Sequence, residues 1–281
     1  MNLIIGSTGQ LGSAIADVIP AKNRICTSRY PINDQIYFDL SMKLSHLIET
    51  LPVKIERIIL CAAESDVSIC EANPTASYLA NVSNCISLIE ESKEHDIPIT
   101  LFSSEYVFNG LDPTPYTELC PSSPVNVYGT QKALLESFSL SQSHETLIFR
   151  ISKLASYGDR RSFLARMLNT ISDSDVYYAA VDQFFTPITT LDAARLVYTA
   201  GSMGISGLYN LCGRDSISRY ELALHIKKAY CYSCDIVPVC LKEIYVPYTI
   251  PPNLTMSCAK MCTDFAFNPM HLDSYLSDAT I

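Results

Sequence analysis

The 281-residue chain lacks any stretch approaching the ~20 apolar residues that a membrane span requires. It also lacks a basic run: 20 Lys and Arg stand against 29 Asp and Glu, a formal charge of −9. An acidic chain of this kind has no general attraction for nucleic acid or anionic lipid, so any anionic ligand must be held locally. The N-terminus runs from Met1 to Gly6 without the basic flank, apolar stretch and cleavage site of a signal peptide. The expectation is a cytoplasmic protein with neither a membrane nor a nucleic acid as partner. Charged residues make up only 17% against 48% hydrophobic, which excludes a disordered chain. At this length the core buries roughly three-quarters of the unfolded chain's surface, so neither disulfide nor metal is needed for stability.

Regular cysteine spacing is absent too. The eleven cysteines are odd in number, which rules out a complete disulfide framework. Cys231, Cys234, Cys240, Cys258 and Cys262 form the one group to weigh as a zinc site. The three-residue gap between Cys258 and Cys262 fits close zinc-ligand pairs poorly, so buried free thiols are the expectation.

What is present is alternation. Apolar runs at Leu3–Ile5, Arg24–Thr27, Gln35–Phe38, Arg57–Ala62, Ile97–Ser103 and Thr146–Ile151 read as strands. Between them Gln10–Ile19, Met42–Leu51, Ala76–Ser92 and Val125–Ser139 read as helices, the pattern of βαβ units and a parallel sheet. After Ser152 the alternation fades into helices at Phe163–Ile171, Leu191–Ala200 and Arg219–Tyr230, the last opened by the capping box Ser218-Arg219-Tyr220-Glu221. A smaller second lobe packed on the first, with a cleft between them, is expected.

Gly6-Ser7-Thr8-Gly9-Gln10-Leu11-Gly12 follows the first strand and opens a helix. Glycines there allow a tight turn, close approach to a pyrophosphate and close helix–sheet packing, while the helix N-terminus favours negative charge. The Gly-Lys-Ser/Thr ending of an ATP-binding loop is missing. The acidic residue that holds an NAD ribose is also missing at the end of the second strand, where Thr27-Ser28-Arg29 stand instead. Arg29 therefore favours NADPH, with NADH admitted. Tyr128 and Lys132 are spaced i, i+4 on one helix face, where the ammonium would stabilise negative charge on the phenol oxygen. Ser103-Ser104-Glu105 lies at the C-terminal end of a parallel strand, where open α/β sheets bind ligands.

These motifs resemble the extended short-chain dehydrogenase/reductases, and more closely the dTDP-4-dehydrorhamnose reductase family. The similarity rests on GSTGQLG at 6–12, CAAESDVSICE at 61–71, FSSEYVFNG at 102–110, Tyr116 to Glu136, FRISKLASYG at 149–158, DQFFTP at 182–187 and GLYNLCG at 207–213. It implies an α/β fold: a Rossmann-type doubly wound parallel sheet over residues 1–152 that binds NADP(H). Residues 153–281 would form mainly a smaller substrate-binding lobe, with some segments returning to the first. By motif position, Ser104, Tyr128 and Lys132 become the catalytic group. The cofactor would touch Gly6, Thr8, Gly9, Gln10, Leu11, Gly12, Arg29, Asp39, Leu40, Ala62, Ala63, Asn81, Tyr128 and Lys132. A nucleotide-sugar would touch Ser104, Glu105, Tyr128 and Lys153, and its 4-keto group would be reduced for surface-glycan or other polysaccharide synthesis. The resemblance also admits a homodimer.

Departures from the family fall around the substrate. Ser104-Glu105 replace Thr-Asp, so an extra methylene could re-aim the carboxylate. Lys153 replaces a tryptophan platform in a chain with no tryptophan at all, leaving a cation to meet a ligand's phosphate or carboxylate, or water. Pro251-Pro252 replace an Arg-Pro pair, Lys260 survives, and Ala14 replaces the glutamate of metal-linked dimers, so no metal is expected. The β subunit of methionine adenosyltransferase, a non-catalytic NADP(H) binder, is similar to the same reductases, and a nucleotide-sugar epimerase is the third alternative.

Overall fold

The computed structural model describes residues 1–142, 145–156 and 162–278. In the first half β1 (Asn2–Ile5), α1 (Gln10–Val18), β2 (Arg24–Ser28), β3 (Ile36–Tyr37), α2 (Leu44–Thr50) and β4 (Arg57–Leu60) are followed by α3 (Val67–Ala72), α4 (Pro74–Tyr78) and α5 (Asn84–Glu94). Next come β5 (Ile99–Ser104), α6 (Val127–Ser141), β6 (Thr146–Ile151), β7 (Leu154–Ala155), α7 (Phe163–Ser172), β8 (Val176–Ala180), β9 (Phe184–Phe185) and β10 (Ile188–Thr189). The chain closes with α8 (Thr190–Ser202), β11 (Gly207–Leu211), β12 (Ile217–Ser218), α9 (Arg219–Tyr230), β13 (Asp235–Val239), β14 (Asn253–Leu254), α10 (Ala259–Asp264) and α11 (Leu272–Asp278).

The central sheet has seven parallel strands in the order β11-β6-β5-β4-β1-β2-β3. Its middle strands are covered on both faces, which is why they read as unbroken apolar runs: Leu3, Ile4 and Ile5 on β1, Ile58, Ile59 and Leu60 on β4, all buried. Each such aliphatic side chain contributes ~1.5–3 kcal/mol by leaving water. On one face α1 and α8 pack through Leu11, Ile15, Ala193 and Val197; on the other Leu47, Leu88, Ile89 and Leu135 close the core. Gly207–Leu211, unassigned as a strand from sequence, runs beside Leu147–Ile151 and extends the sheet, so the second half of the chain returns to it.

The stretch expected as one helix from Ala76 to Ser92 is a longer continuous run that starts at Pro74 and includes a wider π turn at Leu79–Ser83. That extra residue per turn brings Asn81 inward, where its amide donates to Gln131 Oε1 at 2.8 Å and to the Glu64 carbonyl at 2.9 Å. A separate core in the second half of the chain gathers Leu164, Met167, Ile171, Leu222, Ile226 and Leu276. Its helix α9 opens with the capping box read from sequence: Ser218 Oγ accepts from the Glu221 amide at 3.1 Å while Glu221 Oε2 accepts from the Ser218 amide at 2.8 Å. The cysteines weighed as one zinc group are separated. Cys234 lies in this second core, whereas Cys258 and Cys262 pack against the core of the central sheet. Among the described residues no helix is long and apolar enough to cross a membrane.

Candidate active site

The glycine turn wraps the C-terminal end of β1. Gly6 adopts φ +86°, and a Cβ there would lie 2.7 Å from the Ala62 nitrogen. A Cβ on Gly12 would fall 2.3 Å from the Gly6 carbonyl oxygen, so only a hydrogen lets α1 start this close to the turn. Gly9 is the N-cap with no side-chain cap, leaving the first-turn amides of α1 for an external acceptor. A cavity of about 560 Å³ opens beside this turn.

Of the residues expected at the cofactor, Gly6, Thr8, Gly9, Arg29, Asp39, Leu40, Ala62 and Ala63 line that cavity. The others are placed differently. Leu11 points into the core, and Gly12 is the packing contact. The Gln10 side chain donates to Thr190 Oγ1 at 3.2 Å, and Asn81 anchors Glu64, itself part of the cavity wall. Ser28 and Phe38 also line the cavity and were missed; Ser28 adjoins Arg29, but Phe38 carries no local signal. The Arg29 side chain is 70% exposed at the rim, with its Nε 4.0 Å from Asp39 Oδ2. The Ser41 hydroxyl and amide both donate to Asp39, and with a smaller contribution from Arg29 they hold its carboxyl below the usual range.

Gly12→Ala is expected to force α1 away from the turn, weakening dinucleotide binding by roughly tenfold or more, equivalent to ~1.4 kcal/mol or greater. Titration of NADPH by fluorescence checks this; unchanged affinity would contradict the close-approach argument.

Tyr128 and Lys132 sit on α6. Asn126 caps that helix by accepting from the Gly129 amide at 2.8 Å. Gly129 lets the helix approach the 105–107 turn, since a Cβ would lie 2.1 Å from the Tyr106 carbonyl. Lys132 is buried and its Nζ donates to the Phe102 carbonyl of β5 at 3.0 Å, with the ammonium 5.7 Å from the Tyr128 ring centroid. Tyr128 is buried edge-on against Tyr106, ring centroids 6.0 Å apart. Ser104, at the end of β5, accepts from the Tyr106 amide through its Oγ at 3.3 Å. Lys132 thus lies beside Tyr128, and Ser104 stands at the carboxyl end of β5, the same end of the sheet as the glycine turn, though none of the three is among the residues that line the cavity. The carbonyl that orients Lys132 could not be read from sequence, because a backbone acceptor leaves no mark in residue type.

The chain as a whole is matched by known proteins. The model of the family described as the RmlD substrate binding domain matches residues 1–280. The chain belongs to that family. It is 27% identical over 233 residues, 80% of this chain and 77% of its relative, to a dTDP-4-dehydrorhamnose reductase of Aggregatibacter actinomycetemcomitans. It is also 27% identical over 277 residues, 93% of this chain and 81% of the relative, to methionine adenosyltransferase 2 subunit beta of Rattus norvegicus. Among solved structures, dTDP-4-dehydrorhamnose reductase from Bacillus anthracis in complex with NADP superimposes with a TM-score of 0.87 at 20% identity, covering 99% of this chain and 97% of the other.

Against this RmlD-type background, the two substituted positions meet. Lys153 Nζ lies 3.1 Å from Glu105 Oε1, and the Ser152 hydroxyl donates to Glu105 Oε2 at 2.5 Å. Lys153 is therefore paired within the protein rather than turned to water. Pro251 and Pro252 pack against Gly110, where a Cβ would lie 2.7 Å from the Pro251 Cβ. Lys260 is engaged by Asp264 at 3.2 Å and lies against the Tyr209 ring. Tyr157 and Gly158, the last residues of the FRISKLASYG motif, lie outside the described residues.

Proposed function

We propose that this chain is an NADPH-dependent reductase of the 4-keto group of a nucleotide-activated deoxysugar, as the names of its reductase relatives suggest. The observation that supports it is the Lys132 ammonium held beside Tyr128 on α6, with Ser104 at the carboxyl end of β5, the end of the sheet at which the glycine turn and its cavity also lie. The cavity's size and its glycine cradle fit a dinucleotide: Gly6, Thr8, Gly9 and the α1 amides would hold the pyrophosphate, and Arg29 the 2′-phosphate.

A bound reduced nicotinamide supplies the hydride for the ketone carbon. Tyr128 donates the proton to the ketone oxygen, which leaves the sugar as an alcohol. Lys132, fixed by the Phe102 carbonyl, keeps a positive charge beside the phenol and stabilises the phenolate that results. Because the Tyr106 amide already occupies an Oγ lone pair of Ser104, the Ser104 proton is free to donate to the developing alkoxide.

A panel of nucleotide 4-keto-6-deoxy sugars assayed by NADPH oxidation tests the reading. Turnover of at least one of them is expected. NADPH binding with no turnover across the panel would contradict it and favour the non-catalytic alternative.

Arg29→Ala is expected to narrow the preference for NADPH over NADH by raising the Kd for NADPH alone, because NADH has no 2′-phosphate to lose a partner. Equal affinity for both cofactors in the parent protein, unaltered by the substitution, would contradict the role of Arg29.

A further inference from the structure

The turn that follows Ser104 is held by charge. Glu105 is 1% exposed, and both of its oxygens are engaged, one by the Ser152 hydroxyl and one by the Lys153 ammonium. Ser152 and Lys153 directly follow β6, and β6 pairs with β5 up to Ser104↔Ile151. The two contacts therefore tie the ends of neighbouring strands just beyond their last ladder bond. The tie continues sideways: Lys153 Nζ lies 4.4 Å from the Tyr106 ring centroid, and Tyr106 meets Tyr128 edge-on. The Tyr106 amide in turn is the donor to Ser104 Oγ. Burial opposes charge on Lys153, but its Tyr106 and Glu105 neighbours outweigh that and hold the ammonium above its usual range.

We propose that Glu105, Ser152 and Lys153 are positioning residues for the reductase reaction. Their buried contacts fix the Ser104–Tyr106 turn so that the Ser104 hydroxyl and the Tyr106 ring meet Tyr128 in one geometry. Glu105 is thereby withheld from the sugar, and Lys153 acts through Tyr106 instead of through a ligand's anion. The two substitutions at 105 and 153 form one unit, because the buried Glu105 carboxylate needs a cation and the half-buried Lys153 ammonium supplies it. Lys153→Trp alone, which would restore the family's platform residue, strands Glu105 and impairs the protein instead of improving it.

This inference rests on the reductase reading above, so its test pairs a catalytic readout with one that needs no turnover. The direct readout is hydrogen exchange of the Tyr106 amide, the donor to Ser104, in the NADPH-bound protein. Glu105→Gln and Lys153→Met are each expected to accelerate that exchange by roughly tenfold or more and to lower kcat by roughly 10²-fold with KM little altered, the pattern of a misplaced reacting group. Lys153→Arg keeps the pair and is expected to restore both. The double variant Glu105→Gln/Lys153→Met carries no stranded charge, so it is expected to fold stably yet still exchange fast. Unchanged exchange at Tyr106 in the double variant and in Lys153→Met overturns the proposal. So does a Lys153→Met effect confined to KM, which would make Lys153 a substrate contact. If the parent reduces no sugar, the reductase reading fails while the exchange rates still decide this one.

Discussion

Tyr128→Phe is expected to lower kcat by ~10²–10⁴-fold, the range for loss of a general acid, while the fold and NADPH affinity are retained. The side chain is buried against Tyr106, so phenylalanine keeps the ring contact and removes only the hydroxyl. Lys132→Met should be worse in kind. It abandons the Phe102 carbonyl and removes the charge that favours the phenolate, so turnover falls and cofactor binding weakens with it. Steady-state kinetics with a calorimetric Kd for NADPH separate the two. Near-normal turnover in Tyr128→Phe would show that another group delivers the proton.

The second large effect is on stability. Arg150 and Glu136 form a buried pair with both side chains 4% exposed: Nε donates to the two carboxylate oxygens at 3.0 and 3.2 Å, and Nη2 to Oε2 at 2.8 Å. Their roles are structural, joining β6 to α6, the helix that carries Tyr128 and Lys132. Breaking a pair of this kind leaves one uncompensated buried charge and costs about 3–5 kcal/mol, whereas replacing both members by apolar residues is often neutral. Arg150→Met is therefore expected to unfold at much lower temperature, and Arg150→Met/Glu136→Leu to recover most of the loss. Thermal unfolding of the single and double variants measures this. Equal destabilisation in both would mean that the charges are not coupled.

The parts of this molecule that local sequence determines were legible in it. A glycine turn between an apolar strand and a helix is a contiguous signal, and the steric reason for Gly6 and Gly12 is met within a few residues along the chain or at one neighbouring strand end. The spacing of Tyr128 and Lys132 and the capping box at Ser218 are likewise local. What was illegible depends on register between distant segments. Gly207–Leu211 reads weakly as a strand because it is a short edge strand with its apolar residues split by Tyr209 and Asn210, and only the exposed flank of β6 recruits it. A π turn points Asn81 to Gln131 and to Glu64, and no residue pattern announces such a turn. Glu105 and Lys153 each look like an isolated departure from the family. Only the alignment of β5 with β6 shows that they answer each other.

The most direct test of the central claim is to incubate the protein with NADPH deuterated at the transferable C4 position and a nucleotide 4-keto-6-deoxy sugar, then locate the label by mass spectrometry and NMR. One deuterium at C4 of a newly formed sugar alcohol, appearing ~10²–10⁴-fold more slowly when Tyr128 is replaced by phenylalanine, is the expected result. A protein that binds the deuterated cofactor yet transfers no label to any sugar tested would contradict it.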